Sequence, residues 1–119
     1  MLARKTKVYD KTLSVYENTK PLSCRLDVRI EIKDGEVLDF SLSLKYIHPK
    51  EKEHEVYRVD TAPHRDNPHE HLFWKGEDYV QELPGHNWKS YTVLLNEAFE
   101  KIEGNFVDFV KQYKRTEGV

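Results

Sequence analysis

The chain has 119 residues, of which 38% are hydrophobic and 34% are charged, and its formal net charge is −2. This length suffices for one hydrophobic core, so we expect a single domain over residues 1–119 rather than two domains or a disordered tail. The small negative charge gives no general attraction for nucleic acid. No apolar run approaches the roughly 20 residues of a membrane helix, and the N-terminus lacks the apolar core of a secretion signal. We therefore expect a cytoplasmic protein that does not contact a membrane.

Cys24 is the only cysteine, which excludes an internal disulfide. It falls on the apolar side of a strand pattern, a position typical of a buried and inert thiol. The scarcity of Cys and Met beside abundant Lys and Glu is a composition typical of heat-adapted proteins.

The first twenty residues carry an ambiguous pattern. Val8, Leu13 and Val15 fit the spacing of a strand. Tyr9 and Tyr16, together with Leu13, fit the spacing of a helix instead. We favour the strand.

Two alternating segments follow, and they predict a β-hairpin. From Cys24 to Ile32 the even positions are apolar and the odd positions are polar, and a similar alternation resumes from Leu38 to Tyr46. Asp34-Gly35 marks the turn. A two-residue loop would place apolar residues opposite polar ones, so parity predicts a three-residue loop with Gly35 left-handed in a bulge.

The second half of the chain predicts two shorter strands and one long helix. The strands are expected at Val56 to Asp60 and at His69 to Trp74, with prolines between them. After Pro84-Gly85, the apolar residues from Tyr91 to Tyr113 recur at helical spacing, which predicts an amphipathic helix of about six turns, eased at Gly104. We therefore expect an α+β fold, with an antiparallel β-sheet of about four to six strands and one long C-terminal helix packed across one face.

Residues 57–71 hold three of the six histidines and two aspartates: Asp60, His64, Asp66, His69 and His71. Imidazole and carboxylate groups bind divalent metals or transfer protons near neutral pH. If His69 and His71 lie on a strand, both rings project from one face and can approach one ion or one phosphate. The cluster is therefore the candidate functional site.

Three interpretations of this cluster remain open. In the first, a divalent metal such as zinc or manganese is bound with open positions for water; its ligands are His64, Asp66, His69 and His71. In the second, one imidazole takes a proton from a hydroxyl and another protonates the leaving group, as in metal-free ribonucleases. In the third, the histidines are surface or hydrogen-bonding groups of a loop stiffened by proline.

Arginine and tryptophan side chains elsewhere have two interpretations each. Arg25 and Arg29 lie on the polar face of the first alternating strand, where they contact either an anionic ligand or, more commonly, carboxylates of the same face. Trp74 and Trp88 are able to stack a base, but we expect them to anchor the edges of the core.

A resemblance to a known family lies in residues 57–64, Tyr-Arg-Val-Asp-Thr-Ala-Pro-His, followed by Pro-His-Glu-His at 68–71. These segments resemble the signature of the TumE-like toxin-antitoxin family and of related uncharacterised prokaryotic domains, which carry an Arg-x-Asp-Asn-Ala-Pro-His-like segment and then a Pro-His-x-His-like one. The resemblance implies a small sheet protein acting beside a DNA-binding antitoxin partner. The positions that it carries over are Asp60, His64, His69 and His71.

Two functions are therefore expected. The first is a nuclease that acts on RNA, with an antitoxin protein as a further partner. Its catalytic residues are Asp60, His64, His69 and His71, and its phosphate is neutralised by Arg65 or Arg29. The alternative is a non-catalytic module that binds a metal or another protein. The oligomeric state is open, and a homodimer is compatible with the sequence.

Overall fold

The protein is described by a computed structural model over residues 4–50, 52–61 and 67–119. Within these residues, six strands form one antiparallel sheet in which neighbours in the chain are neighbours in space. They are β1 (Lys5–Glu17), β2 (Lys20–Lys33), β3 (Glu36–Tyr46), β4 (His54–Asp60), β5 (His69–Leu72) and β6 (Val80–Glu82). One long helix, α1 (Tyr91–Glu117), packs on one face of the sheet. The predicted α+β fold is confirmed, and so is the strand predicted in the first twenty residues.

The hydrophobic core lies between α1 and the sheet. Alternate residues of β2 and β3 point toward the helix, as the sequence pattern predicted, with Val28 opposite Leu42 and Leu26 opposite Leu44. The helix contributes the buried residues Leu94, Leu95, Ala98, Ile102, Phe109 and Val110. Burial of each large apolar side chain stabilises the fold by roughly 1.5–3 kcal/mol. This layer therefore holds α1 on the sheet, and among the described residues no helix lies on the other face.

Cys24 belongs to this core and is fully buried. Burial raises the pKa of its thiol to about 12. Since the thiolate is the reactive form, the predicted inert thiol is consistent with this environment.

The ends of α1 follow from the residues that cap it. The Ser90 hydroxyl accepts a hydrogen bond from the backbone N–H of Val93 at 3.2 Å, which satisfies one free donor of the first turn. At the other end Gly118 is left-handed, with φ 72°, and its N–H donates to the Lys114 carbonyl at 2.8 Å. The helix is continuous through Gly104. No helix among the described residues has the length and apolar character needed to cross a membrane.

The turn between β2 and β3 differs from the prediction. Its loop consists of two residues, Asp34 and Gly35, with φ 54° and 77°, which are typical of a type I′ turn. A β-bulge at Leu38 then shifts the register, so that Ile30 still pairs with Phe40. The predicted three-residue loop is wrong, because the extra residue that keeps apolar residues opposite one another lies in the strand and not in the turn.

The predicted strand from His69 to Trp74 is also too long. β5 ends at Leu72, and Phe73–Lys75 form a short 3₁₀ helix. This turn places the Trp74 ring against Phe109, with ring centroids 5.1 Å apart, as expected for a residue at the core edge. The same expectation is wrong for Trp88, whose exposure is 75% because it lies in the turn that precedes α1.

Candidate functional site

The candidate site lies where β4 pairs with β5. In this antiparallel ladder Asp60 is opposite His69 and Arg58 is opposite His71. Glu70, between the two histidines in the chain, faces α1, so strand alternation directs both imidazoles to the other face of the sheet. The prediction that the two histidines share one face is confirmed.

Asp60 brings a carboxylate to the two imidazoles. Its Oδ1 is 2.7 Å from His69 Nε2, and its Oδ2 is 4.0 Å from His71 Nε2. One ligand atom from each residue can be chosen so that all three lie within 4.8 Å of one another. Both histidines are buried and Asp60 is largely so. We call these three residues the Asp60 cluster. The other two predicted members, His64 and Asp66, lie outside the described residues.

The His69 ring is oriented by the backbone. Its Nδ1 is 3.2 Å from the Asn67 carbonyl oxygen, which assigns the Nδ1 proton as the donor to that oxygen. Nε2 then lies 2.7 Å from Asp60 Oδ1, but the orientation of the ring does not suit a hydrogen bond between these two atoms. Among the described residues, buried Asp60 Oδ1 has no hydrogen-bond partner of suitable geometry. A cation bound by both atoms would give Asp60 Oδ1 a partner.

Arg58 sets the charge beside the cluster. Its Nε is 3.5 Å from Asp60 Oδ2, and one terminal nitrogen is 3.6 Å from a Glu55 carboxylate oxygen. Burial lowers the pKa of His71, the nearby Arg58 charge lowers it further, and Asp60 opposes the shift in part. The His71 ring is therefore neutral at neutral pH, as a general base or a metal ligand must be.

The arginines predicted on β2 serve mainly as ion-pair partners. Arg25 contacts Asp27 at 2.8 Å, and Arg29 contacts Glu31 at 2.9 Å. Both are pairs within β2, and Arg29 also lies 3.9 Å from Asp39 of β3, as expected for a solvated sheet face, which was the more common of the two expectations. Arg29 is thereby paired with carboxylates of β2 and β3, and among the described residues Arg58 is the arginine that contacts Asp60. Arg65 lies outside the described residues.

A second polar group, which the sequence interpretation missed, lies on the helix side of β5. Glu70 is 1% exposed and accepts hydrogen bonds from the Tyr57 hydroxyl, from Gln81 Nε2 at 2.6 Å and from Lys101 Nζ at 2.9 Å. Burial by itself raises the pKa of Glu70, but these hydrogen bonds outweigh it and the pKa is lowered. Tyr57 and Lys101 also line a cavity of about 170 Å³ on this side. Strand alternation could have predicted this position, because a residue between two histidines that share one face of the sheet must point to the opposite face.

Comparison with known proteins gives a family. A family model described as "Domain of unknown function (DUF7718)" matches residues 5–119. No curated protein and no solved structure matches the chain. The resemblance to TumE-like proteins stays a prediction. Because the family match runs from residue 5 to the last residue, the chain belongs to the DUF7718 family.

Proposed function

We propose that the protein is a ribonuclease whose catalytic centre is the Asp60 cluster. The observation that supports this most directly is the convergence of two buried imidazoles and one carboxylate within 4.8 Å of one another. Paired imidazoles transfer protons at near-neutral pH, and Arg58 beside them is a cation suited to phosphate. The resemblance of residues 57–71 to TumE-like toxins supports RNA as the substrate and an antitoxin protein as the partner.

In the proposed reaction His71 is the general base. Its neutral Nε2 accepts the proton of a ribose 2′-hydroxyl, and the 2′-oxygen attacks the adjacent phosphorus. His69, whose ring is oriented by the hydrogen bond from Nδ1 to the Asn67 carbonyl, is the general acid and donates a proton from Nε2 to the departing 5′-oxygen. The bond from phosphorus to that oxygen breaks. The products are a 2′,3′-cyclic phosphate and a 5′-hydroxyl.

Cleavage of RNA by the purified protein tests this proposal. In His71→Ala we expect the rate to fall by about 10²- to 10⁴-fold, the usual contribution of a general base. His86→Ala is the matched control, because His86 pairs with Glu82 at 3.0 Å in a different part of the chain and should keep full activity. Circular dichroism of both variants checks that they fold.

Two outcomes would contradict the ribonuclease. One is undiminished cleavage by folded His71→Ala. The other is equal cleavage of a DNA strand of the same base sequence, because DNA lacks the 2′-hydroxyl that the proposed reaction requires.

A second candidate function is supported by the geometry of His69. The Nδ1 proton bonded to a backbone carbonyl, with Nε2 directed to the site, is typical of a metal-binding histidine. Asp60 Oδ1 and His69 Nε2 are close without a hydrogen bond between them, as two ligands of one cation are. Two imidazoles and one carboxylate suit zinc, manganese or iron. In this alternative the protein is a metal-binding module, and the metal holds β4 against β5.

Elemental mass spectrometry of the untagged protein tests the metal directly. Near-stoichiometric metal in the wild type, absent from His69→Ala/His71→Ala and retained in His86→Ala, is the result expected from a metal site. A protein that remains metal-free after reconstitution with zinc and manganese contradicts it. RNA cleavage that persists in a chelator favours the metal-free reaction over the metal.

A further inference from the structure

β1 is an edge of the sheet with an uncovered side. It is 13 residues long and pairs with β2, and no other described strand lies on its far side. Four large apolar residues of this strand are exposed: Val8 73%, Tyr9 45%, Val15 38% and Tyr16 77%. A long edge with exposed apolar residues favours pairing with another strand. The edge therefore has the properties of an interaction surface.

The backbone of β1 determines how a new strand would pair. The turn to β2 has two residues, Asn18 and Thr19, with φ 50° and 70°, so it is a type I′ hairpin that closes on the hydrogen-bonded pair of Glu17 and Lys20. Hydrogen bonding to β2 then involves the odd-numbered residues of β1. The free N–H and C=O groups on the outer side belong to the even-numbered residues. An added antiparallel strand must bond to those.

We propose that the partner of this edge is β1 of a second copy of the chain, antiparallel to the first, with Thr12 opposite Thr12. In this register Val8 of each copy lies opposite Tyr16 of the other, on the sheet face away from α1. Tyr9 lies opposite Val15 on the face that carries α1. Every exposed large apolar residue of the strand thus meets another one, as cross-strand stabilisation requires. The result is one continuous sheet of twelve strands, two times the six that each copy contributes.

The charges on β1 support the same register. Lys7 lies opposite Glu17 of the second copy, and Glu17 is 3.2 Å from Lys111 of its own chain. The smallest shift that keeps even-numbered residues opposite even-numbered ones is two residues. In one direction this shift puts Lys11 opposite Lys11, and in the other direction it puts Tyr9 opposite Glu17. Of these three registers, the one centred on Thr12 places all four exposed apolar residues opposite one another and Lys7 opposite Glu17, with no like charges opposite, which would destabilise a sheet.

A disulfide across the two-fold axis tests the register. In Thr12→Cys the two Cα atoms would be about 5.5 Å apart, within the usual range for a disulfide. Ser14→Cys is the matched control, because it is exposed on the same face but would lie roughly 13 Å along the strand from its equivalent. The native Cys24 is fully buried and does not compete. The wild type, oxidised in parallel, measures the background.

The expected result is a dimer by light scattering, with at least tenfold more cross-linking in Thr12→Cys than in Ser14→Cys. Mixing Asp10→Cys with Ser14→Cys should give a cross-linked heterodimer, because these positions are opposite. Val8→Lys/Tyr16→Lys should weaken the dimer at least tenfold, while Trp88→Lys, at an exposed site outside β1, should not. A wild-type monomer, or equal cross-linking in the two single-cysteine variants, would overturn the proposal.

Discussion

At the scale of single residues, the pair of Glu70 and Lys101 shows how a charge is kept inside a small core. Glu70 is almost fully buried, whereas the Lys101 side chain is 41% exposed and reaches the carboxylate from α1. A buried carboxylate is costly unless hydrogen bonds satisfy it, and Tyr57 and Gln81 supply the remaining ones. The pair thus links β5 to the helix directly beneath the Asp60 cluster.

Lys101→Met should lower the free energy of unfolding by about 1–2 kcal/mol at neutral pH, because it removes one partner of a buried carboxylate while solvent screens the pair in part. The pKa of Glu70 is lowered in the folded protein, so its contribution is present above the ordinary value of 4.5 and lost as the pH falls further. Urea unfolding of both proteins at neutral and acidic pH measures this. Lys111→Met, which removes an exposed pair, is the control. If the difference in unfolding free energy between the wild type and Lys101→Met does not decrease in acid, the interpretation is contradicted.

His71 provides a second prediction at this scale. Its pKa lies below the ordinary 6.5 in the folded protein, mainly through burial. The neutral ring therefore persists to lower pH than in a free histidine, and its stabilising contribution is lost as the pH falls from 6.5 through the folded pKa. With a chelator present, the rate of RNA cleavage should decrease in acid with a midpoint below pH 6.5. An acid limb above that value would exclude His71 as the base.

At the scale of elements, glycine is favourable in the β2–β3 turn and unfavourable within α1. Gly35 in the β2–β3 turn has φ 77°, which disfavours any side chain, whereas Gly104 lies within α1. A Cβ added at either position meets no atom within 4 Å. The two sites therefore differ in backbone conformation and not in space.

Gly35→Ala should destabilise the protein by about 1 kcal/mol, and Gly104→Ala should stabilise it by about 0.5–1 kcal/mol. The first forces a residue with a Cβ into the left-handed region, and the second restricts the unfolded chain and favours the helix. Thermal unfolding followed by circular dichroism compares the two variants with the wild type. Changes of the same sign would show that the turn or the helix has a different conformation.

The elements also show why part of the sequence interpretation failed. Alternation located β2 and β3 because side chains in a strand alternate between faces, and i, i+3, i+4 spacing located α1. The same rule of parity required one extra residue, but it did not say where in the hairpin that residue lies. Leu38 takes this place at the bulge, since the type I′ turn at Asp34 and Gly35 matches the twist of the strands.

At the scale of the whole molecule, the two faces of the sheet have separate roles. One face packs against α1 and holds the core, and the other carries the Asp60 cluster. Ile102 is fully buried on the first face, with no part in the second. Stability and the proposed activity should therefore respond to different substitutions.

Ile102→Ala should lower the free energy of unfolding by about 2–5 kcal/mol, because it leaves a cavity between α1 and the sheet. At temperatures where the variant is still folded, it should keep the RNA cleavage or metal content of the wild type. Val93→Ala, at a helix position with 44% exposure, is the control and should change stability little. Loss of site function in folded Ile102→Ala would show that the two faces are coupled.

The sequence by itself determined β2, β3, β4 and α1, the face that β2 and β3 bury and the segment that holds the functional groups. These depend on backbone periodicity, which is local. Only the tertiary structure decided that Asp60 meets His69 and His71, since their contact depends on the register of β4 against β5. It likewise placed Lys101 of α1 on Glu70. Such contacts follow from strand register and from the packing of the helix on the sheet, which no local pattern specifies.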